Sequence, residues 1–170
     1  MGVHVVIDGY NMIFAGSAGT SDLEAAREEL AGLLTLYKKA KAHTVTIVFD
    51  AHHAPVAGER SGRIKGIPVV YSPAGKTADT VIAEMAKRLG PKAVVVTSDR
   101  GLQIRVSQAG AAFISCADFS VKLDEALYES MGKADDTGDK GPVKEADRKK
   151  GPARRLTKAR RTLLKKREKL

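Results

Sequence analysis

Short apolar runs alternate along the chain with longer stretches of helical spacing. Val3 to Ile7 is apolar and β-branched and stops at Asp8-Gly9, which predicts a buried strand. Residues 21–41 predict a helix. Ser21 or Asp22 can cap it, and Leu23, Ala26, Leu30, Leu33, Leu34 and Tyr37 recur on one face. A second strand runs from Val45 to Phe49 and ends at Asp50. Residues 51–66, with Pro55, Gly58, Gly62, Gly66 and several charges, predict a loop. Ile67 to Tyr71 predicts a third strand. Thr77 to Leu89 predicts a helix, stopped by Gly90-Pro91. Ala93 to Thr97 predicts a fourth strand leading into Ser98-Asp99. A helix over 99–109 follows, then a strand from Ala112 to Ser115 and a helix over 118–131.

Strands alternating with helices predict an α/β fold, with a parallel sheet covered on both faces. Right-handed crossovers restrict the topology, and five strands in the order 3-2-1-4-5 are expected. After Met131 the character changes. Residues 133–150 carry Gly, Asp and Lys with few apolar residues, a linker composition. From Pro152 to Leu170 a thin apolar stripe of Leu156, Ala159, Leu163 and Leu170 returns among many cations, so helix is expected there only with a partner bound. The expected organisation is a folded domain over 1–131 and a basic tail over 132–170.

Charge sharpens that division. Residues 140–170 hold 14 Lys and Arg against 3 Asp and Glu, a net of +11, whereas residues 1–139 hold 15 against 17, a net of −2. A basic tail on a slightly acidic body predicts a polyanionic partner. Arg154, Arg155, Lys158, Arg160, Arg161, Lys165, Lys166 and Arg167 are the candidate phosphate contacts. The tail has no aromatic residue, so its grip would be salt-sensitive and blind to sequence. The single cysteine, Cys116, cannot form an internal disulfide, and no signal peptide is visible, so a reducing cytoplasm is expected. No apolar run approaches the roughly 20 residues that span a bilayer.

Ligands of parallel α/β sheets bind beyond the carboxyl ends of the strands. Asp8, Asp50 and Asp99 follow three such ends, and Asp79 lies in the first turn of the helix after the third strand. Any one of them could simply cap a helix or turn; four at one edge suggest a shared site. Ionised carboxylates in proximity repel, and a hard divalent cation with oxygen ligands relieves that cost. One or two Mg²⁺ or Mn²⁺ ions are the expected guests, able to acidify a water and to stabilise a phosphodiester displacement. Zinc is disfavoured, because no His and Cys cluster has its spacing.

The segments VVIDGYNMI at 5–13, VFDAHH at 48–53, YSPAGKTADTVI at 71–82 and VVVTSDRGLQ at 94–103 resemble the NYN-domain family, and within it the YacP-like bacterial branch. The resemblance covers roughly residues 1–130. It implies the three-layer α/β/α sandwich of PIN-like nucleases and metal-dependent endonucleolytic cleavage of single-stranded RNA. It assigns Asp8, Asp79 and Asp99 to the catalytic, metal-holding acids, with Asp50 at a further acidic position. Water as the nucleophile would leave a 5′-phosphate and a 3′-hydroxyl. The branch includes an endonuclease that cleaves messenger RNA on the ribosome, so the resemblance implies RNA and the ribosome as partners. The rival reading is a non-catalytic RNA- or ribosome-binding module of the same fold.

Other residues carry two readings each. Asn11 either holds the carboxylates or contacts substrate, or else bridges backbone groups in the turn. Tyr10 is a core residue or a base-stacking surface. Lys76 meets a substrate phosphate near a helix N-terminus or is a solvated loop lysine; a nucleotide P-loop fails, since Val70 stands where its first Gly belongs. Thr77 is read as an N-cap beside the substrate. Thr97 and Ser98 position water or the Asp99 carboxylate, or serve as strand-end hydrogen-bond partners. Arg100 is a candidate phosphate contact, whereas Arg105 reads as a surface residue. His52 and His53 read as loop contacts to RNA, because adjacent extended residues point oppositely.

Overall fold

The computed structural model describes residues 2–16, 21–53 and 60–132. The expected linker from residue 133 and the tail cations lie outside them. In chain order the elements are β1 (His4–Asp8), α1 (Gly9–Gly16), α2 (Leu23–Lys41), β2 (Thr44–Phe49), a 3₁₀ turn (Ala51–His53), β3 (Ser61–Ile64) and β4 (Ile67–Tyr71). Then follow α3 (Ala78–Leu89), a second 3₁₀ turn (Gly90–Lys92), β5 (Ala93–Val96), α4 (Arg100–Gln108), β6 (Ala112–Ile114) and α5 (Cys116–Gly132).

The sheet order is β3-β4-β2-β1-β5-β6. β1 pairs in parallel with β2 and with β5, β2 with β4, and β5 with β6. The five expected strands thus stand in the expected order. The sixth strand is a correction to the expected loop over 51–66: β3 pairs antiparallel with β4, Ile64 opposite Ile67. The two-residue turn between them is Lys65-Gly66, both at positive φ (48° and 80°). Tight hairpins need that geometry, and Asn-Gly or Asp-Gly usually signals it. A lysine in the first position hid the turn, and Ser61-Gly62-Arg63 lacks the apolar alternation of a strand.

Alternation on the central strands explains the two helix layers. Val5 and Ile7 of β1, with Val45, Ile47 and Phe49 of β2, join one core with Leu30, Leu34 and Tyr37 of α2 and Phe119 and Leu123 of α5. Val6 and Val48 point the other way, into a second core with Ile82 and Met85 of α3 and Leu102 and Val106 of α4. Period-two side-chain direction on a sheet buried on both faces yields this three-layer α/β/α arrangement. At the strand margin, the His4 ring shares a 2.8 Å hydrogen bond with the Thr46 hydroxyl.

The short helix α1 has no counterpart among the expected elements. Its glycine ends have low helix propensity, and burial of Met12 and Ile13 against the first core holds it in place. Gly9 at its start is needed for close approach: a Cβ there would overlap the Phe49 ring at Cε1 and Cδ1 and sit 2.9 Å from Ile47 Cγ2. Phe49 is fully buried and cannot yield. Gly9→Ala should therefore destabilise the fold by about 1–3 kcal/mol. A urea-unfolding midpoint equal to the wild-type value would refute this packing.

Candidate active site

β1, β2, β4 and β5 run in one direction, so their carboxyl ends share one edge. Asp8 ends β1 and lies two residues after Val6, on the face covered by α3 and α4. α3 carries Asp79 in its first turn, and α4 is capped by Asp99, whose carboxylate accepts the Leu102 amide at 2.7 Å. Asp50 follows β2 immediately, two residues after Val48.

The four acids differ in surroundings. Asp8 is buried, 7% exposed, and accepts the Thr97 hydroxyl at 3.0 Å on Oδ2. Burial pushes its carboxyl up to about 6; the Thr97 bond and the Asn11 backbone amide oppose the rise, and the negative charges of Asp79 and Asp99 add to it. Asp79 is half-buried. Its carboxyl is also raised, by desolvation first and then by Asp99 and Asp50, with Arg105 acting against the rise. Asp50 accepts weakly from Ser72 Oγ at 3.5 Å, and His52 Nε2 lies 4.0 Å away. The acids thus feel one another across the edge. Among the described residues, however, no group of three or more His, Cys, Asp or Glu side chains is gathered closely enough to hold a metal ion. The donors suit a hard cation in type and charge, and their mutual repulsion is what such an ion would relieve.

A knot of hydrogen bonds holds Asp8 from behind. Thr97 Oγ1, while donating to Asp8, accepts the Asp99 amide at 3.1 Å, and the Thr97 carbonyl accepts Gln103 Nε2 at 2.9 Å. The Asn11 carboxamide oxygen accepts the Ser98 amide at 3.0 Å and Cys116 Sγ at 3.2 Å. Ser98 Oγ accepts the Cys116 amide at 3.2 Å. Asn11 thus joins the ends of β1 and β5 to the start of α5, and Thr97 joins Asp8 to Asp99. Its side chain bonds to Ser98 and Cys116, distant in sequence, and not within the turn after β1, while its backbone amide supports the Asp8 carboxylate.

The remaining expected residues lie at or near this edge. Thr77 caps α3, its hydroxyl accepting the Thr80 amide at 3.3 Å. Arg100 is exposed at the start of α4. Lys76 is paired with Glu84 at 2.8 Å and so is not an isolated loop cation. Sequence reasoning missed two residues. Arg105 is exposed, as the sequence reading had it, but it also stands close enough to Asp79 to act on its ionisation. Arg27 of α2 is 5% exposed and donates to the Tyr10 hydroxyl at 2.6 Å, with its guanidinium 5.5 Å from the Phe49 ring centre. A helix-face arginine carries no mark of burial in its own sequence context.

The YacP-like NYN domain model matches residues 5–169. The chain belongs to that family. The match runs past residue 130, so the shared pattern takes in the basic segment that the resemblance read from the sequence did not reach. Membership carries an RNase-like function as the general character of the family. Among solved structures, Rae1 (YacP) from Bacillus subtilis matches with a TM-score of 0.65 and 25% identity, over 79% of this chain and 80% of that one. A tryptophan-to-leucine variant of the same protein matches with a TM-score of 0.64 and 25% identity, over 76% and 79%. Among curated proteins there is no match.

The raised Asp8 carboxyl makes stability depend on pH. The unfolded chain releases this proton near 3.8 and the folded domain near 6. Between those values the native state binds more protons, so stability falls as pH rises. The penalty is complete above about pH 6 and absent below 3.8. About two pKa units at ~1.4 kcal/mol each put it at about 3 kcal/mol. Asp8→Asn keeps an acceptor for Thr97 and removes the charge. It should melt at least about 3 °C above wild type at pH 7.5 in chelator, with the gap closing near pH 4. A gap independent of pH would contradict the assignment.

Proposed function

We propose that the chain is an endoribonuclease that hydrolyses phosphodiester bonds of single-stranded RNA, with Asp8, Asp79 and Asp99 as its catalytic acids. The observation that carries this reading is the burial of an ionisable Asp8 at the edge it shares with Asp79 and Asp99, in a chain of a nuclease family. A protein that needed Asp8 only as a turn residue would gain by leaving it in water, where it ionises without cost.

Asp8, Asp79 and Asp99, with Asp50, would hold one or two Mg²⁺ or Mn²⁺ ions. Bound there, a divalent cation neutralises the carboxylates, acidifies a water and stabilises charge building on the phosphate. The chain's own residues supply the rest. Thr97 and the Asn11 amide aim the Asp8 carboxylate, and the α4 amide of Leu102 fixes one oxygen of Asp99. Arg100 at the start of α4 and Lys76 before α3 are placed to meet substrate phosphates, Lys76 by exchanging Glu84 for RNA. Thr77 and Ser98 shape the edge between them. Residues 1–131 form the nuclease domain in this reading, and the tail cations Arg154, Arg155, Lys158, Arg160, Arg161, Lys165, Lys166 and Arg167 hold the RNA backbone. The family resemblance nominates messenger RNA on the ribosome as the setting, and a cytoplasmic location suits the lone, buried Cys116. No described helix is long and apolar enough to cross a membrane.

One observation favours the rival, a non-catalytic RNA- or ribosome-binding module: the described acids are not gathered into a metal cage. Cleavage assays separate the two. With Mn²⁺ the full chain should cut a single-stranded oligoribonucleotide, leaving 5′-phosphate and 3′-hydroxyl ends, and chelator should stop it. Asp8→Asn or Asp79→Asn should each lower the rate by about 100-fold or more, equivalent to ~2.7 kcal/mol of the barrier, with the circular dichroism spectrum unchanged. A variant cutting at the wild-type rate would eliminate the scheme. Mn²⁺ should also raise the melting temperature of wild type and not of Asp8→Asn, a readout independent of turnover.

The tail has its own test. Replacing its eight named cations by glutamine should weaken RNA binding equally for all sequences. The log–log salt slope should drop by about 0.7 for each phosphate left without its cation. An unchanged slope would show that the tail does not touch the backbone.

A further inference from the structure

The 170 residues contain four Phe, four Tyr and no Trp. Of the rings in the described residues, Phe49, Phe119, Tyr37 and Tyr71 are buried. Phe14 is not: it is 54% exposed on α1, the helix that begins directly after Asp8. Single exposed apolar residues are ordinary on protein surfaces. What separates Phe14 from exposed Phe113 and Ile104 is its backing. Its ring stacks on Tyr10 with 6.0 Å between centroids and 24° between planes. Tyr10 packs on Phe49 at 4.9 Å, and Phe49 stacks on Tyr71 at 6.0 Å and 27°. Arg27 pins this row from the side, bonded to the Tyr10 hydroxyl and lying over the Tyr10 and Phe49 rings at 5.7 and 5.5 Å. A row of rings therefore runs from the core to the surface, with Phe14 as its exposed outer member.

The position of that ring matters as much as its support. Phe14 is six residues along α1 from Asp8, about 9 Å at 1.5 Å per residue. α1 starts at the edge that carries Asp8, Asp50, Asp79 and Asp99 and packs over the α2–α5 layer, so an RNA strand crossing from the α3–α4 side of that edge to the α2 side would meet Phe14. The cations that the nuclease reading gives this edge, Arg100 and Lys76, meet phosphates and offer no ring to a base. Residues 152–170, which supply the positive charge, have no aromatic ring. A grip on the bases, as opposed to the backbone, needs a ring face, and stacking on one works without regard to base identity.

We propose that Phe14, backed by Tyr10, is a stacking platform for one unpaired base of the RNA whose backbone crosses the acidic edge. The inference rests on the nuclease reading and adds a substrate-positioning residue to it. The tail supplies charge-driven affinity, and the platform sets where along the strand the scissile phosphate comes to rest. Because Phe14 already stacks on Tyr10, a base added to its outer face extends an existing stack.

The test uses the full chain and an oligoribonucleotide carrying 2-aminopurine at successive positions. In an uncleaving Asp8→Asn background, binding should quench the probe at one position, and Phe14→Ala should abolish that quenching. Phe14→Ala should also weaken binding by about fivefold or more, the low end for loss of one base–aromatic stack. Phe14→Trp should restore both, whereas Phe14→Leu, which keeps an apolar side chain without a ring, should not. With Asp8 intact, Phe14→Ala should raise KM with kcat little changed. Removing the base at the quenched position should make Phe14 and Phe14→Ala bind equally.

Leucine performing as well as phenylalanine would overturn the proposal, as would equal binding by Phe14→Ala on intact RNA. So would a changed sedimentation coefficient for Phe14→Ala with unchanged RNA binding, which would mark Phe14 as a contact between copies of the chain. The two readings fail differently. If wild type cuts RNA and Phe14→Ala matches it, the platform alone falls; if wild type neither binds nor cuts RNA, the nuclease reading falls and takes the platform with it.

Discussion

Parallel pairing of β1 with β2 on one side and β5 on the other is the constraint on which the rest depends. It brings the carboxyl ends of strands from distant parts of the chain to a single edge. Side-chain alternation then chooses the face. Val6 and Val48 enter the α3–α4 core, and the period of two continues to Asp8 and Asp50. The N-terminal turns of α3 and α4 reach the same edge and carry Asp79 and Asp99. Helix N-termini favour negative charge, which lets these acids stand where their repulsion alone would disperse them.

The arrangement stabilises the fold poorly at Asp8. A buried carboxylate with acidic neighbours opposes its own ionisation, and the Thr97 and Asn11 contacts offset only part of that cost. Networks of this kind hold a side chain in one orientation while leaving its charge unbalanced, the condition under which a cation binds well. Asn11, Ser98 and Cys116 complete the support by tying three strand or helix ends together around one carboxamide oxygen.

In the proposed reading, two kinds of RNA grip are separated along the chain. Positive charge is concentrated beyond residue 139, while the folded part carries a net −2. On the α2 side of the sheet the resource is aromatic: a row from Tyr71 through Phe49 and Tyr10 to Phe14. Gly9 belongs to the same device, since only a missing side chain lets Phe49 close against the start of α1. A long-range, sequence-blind attraction and a short-range stack are complementary ways to hold a flexible single strand.

Much was legible from residue order, because it depends on neighbours in sequence. Apolar runs located five strands in their spatial order, Asp22 and Thr77 announced their caps, and the Asp positions at strand ends implied a common edge. The family motifs nominated the acids. Other features escaped because they are properties of contacts between distant segments. The β3 hairpin turns on a lysine at positive φ, a conformation its residue type does not advertise. Arg27 is buried only because Tyr10 and Phe49 come to meet it, and Arg105 acts on Asp79 only because two helices pack side by side. Desolvation acts on Asp8, the buried one of the four, and on Asp79, since burial is set by everything packed around a side chain. Local periodicity and turn chemistry are written into the order of residues; solvation, charge coupling and ring stacking exist only once the layers have closed.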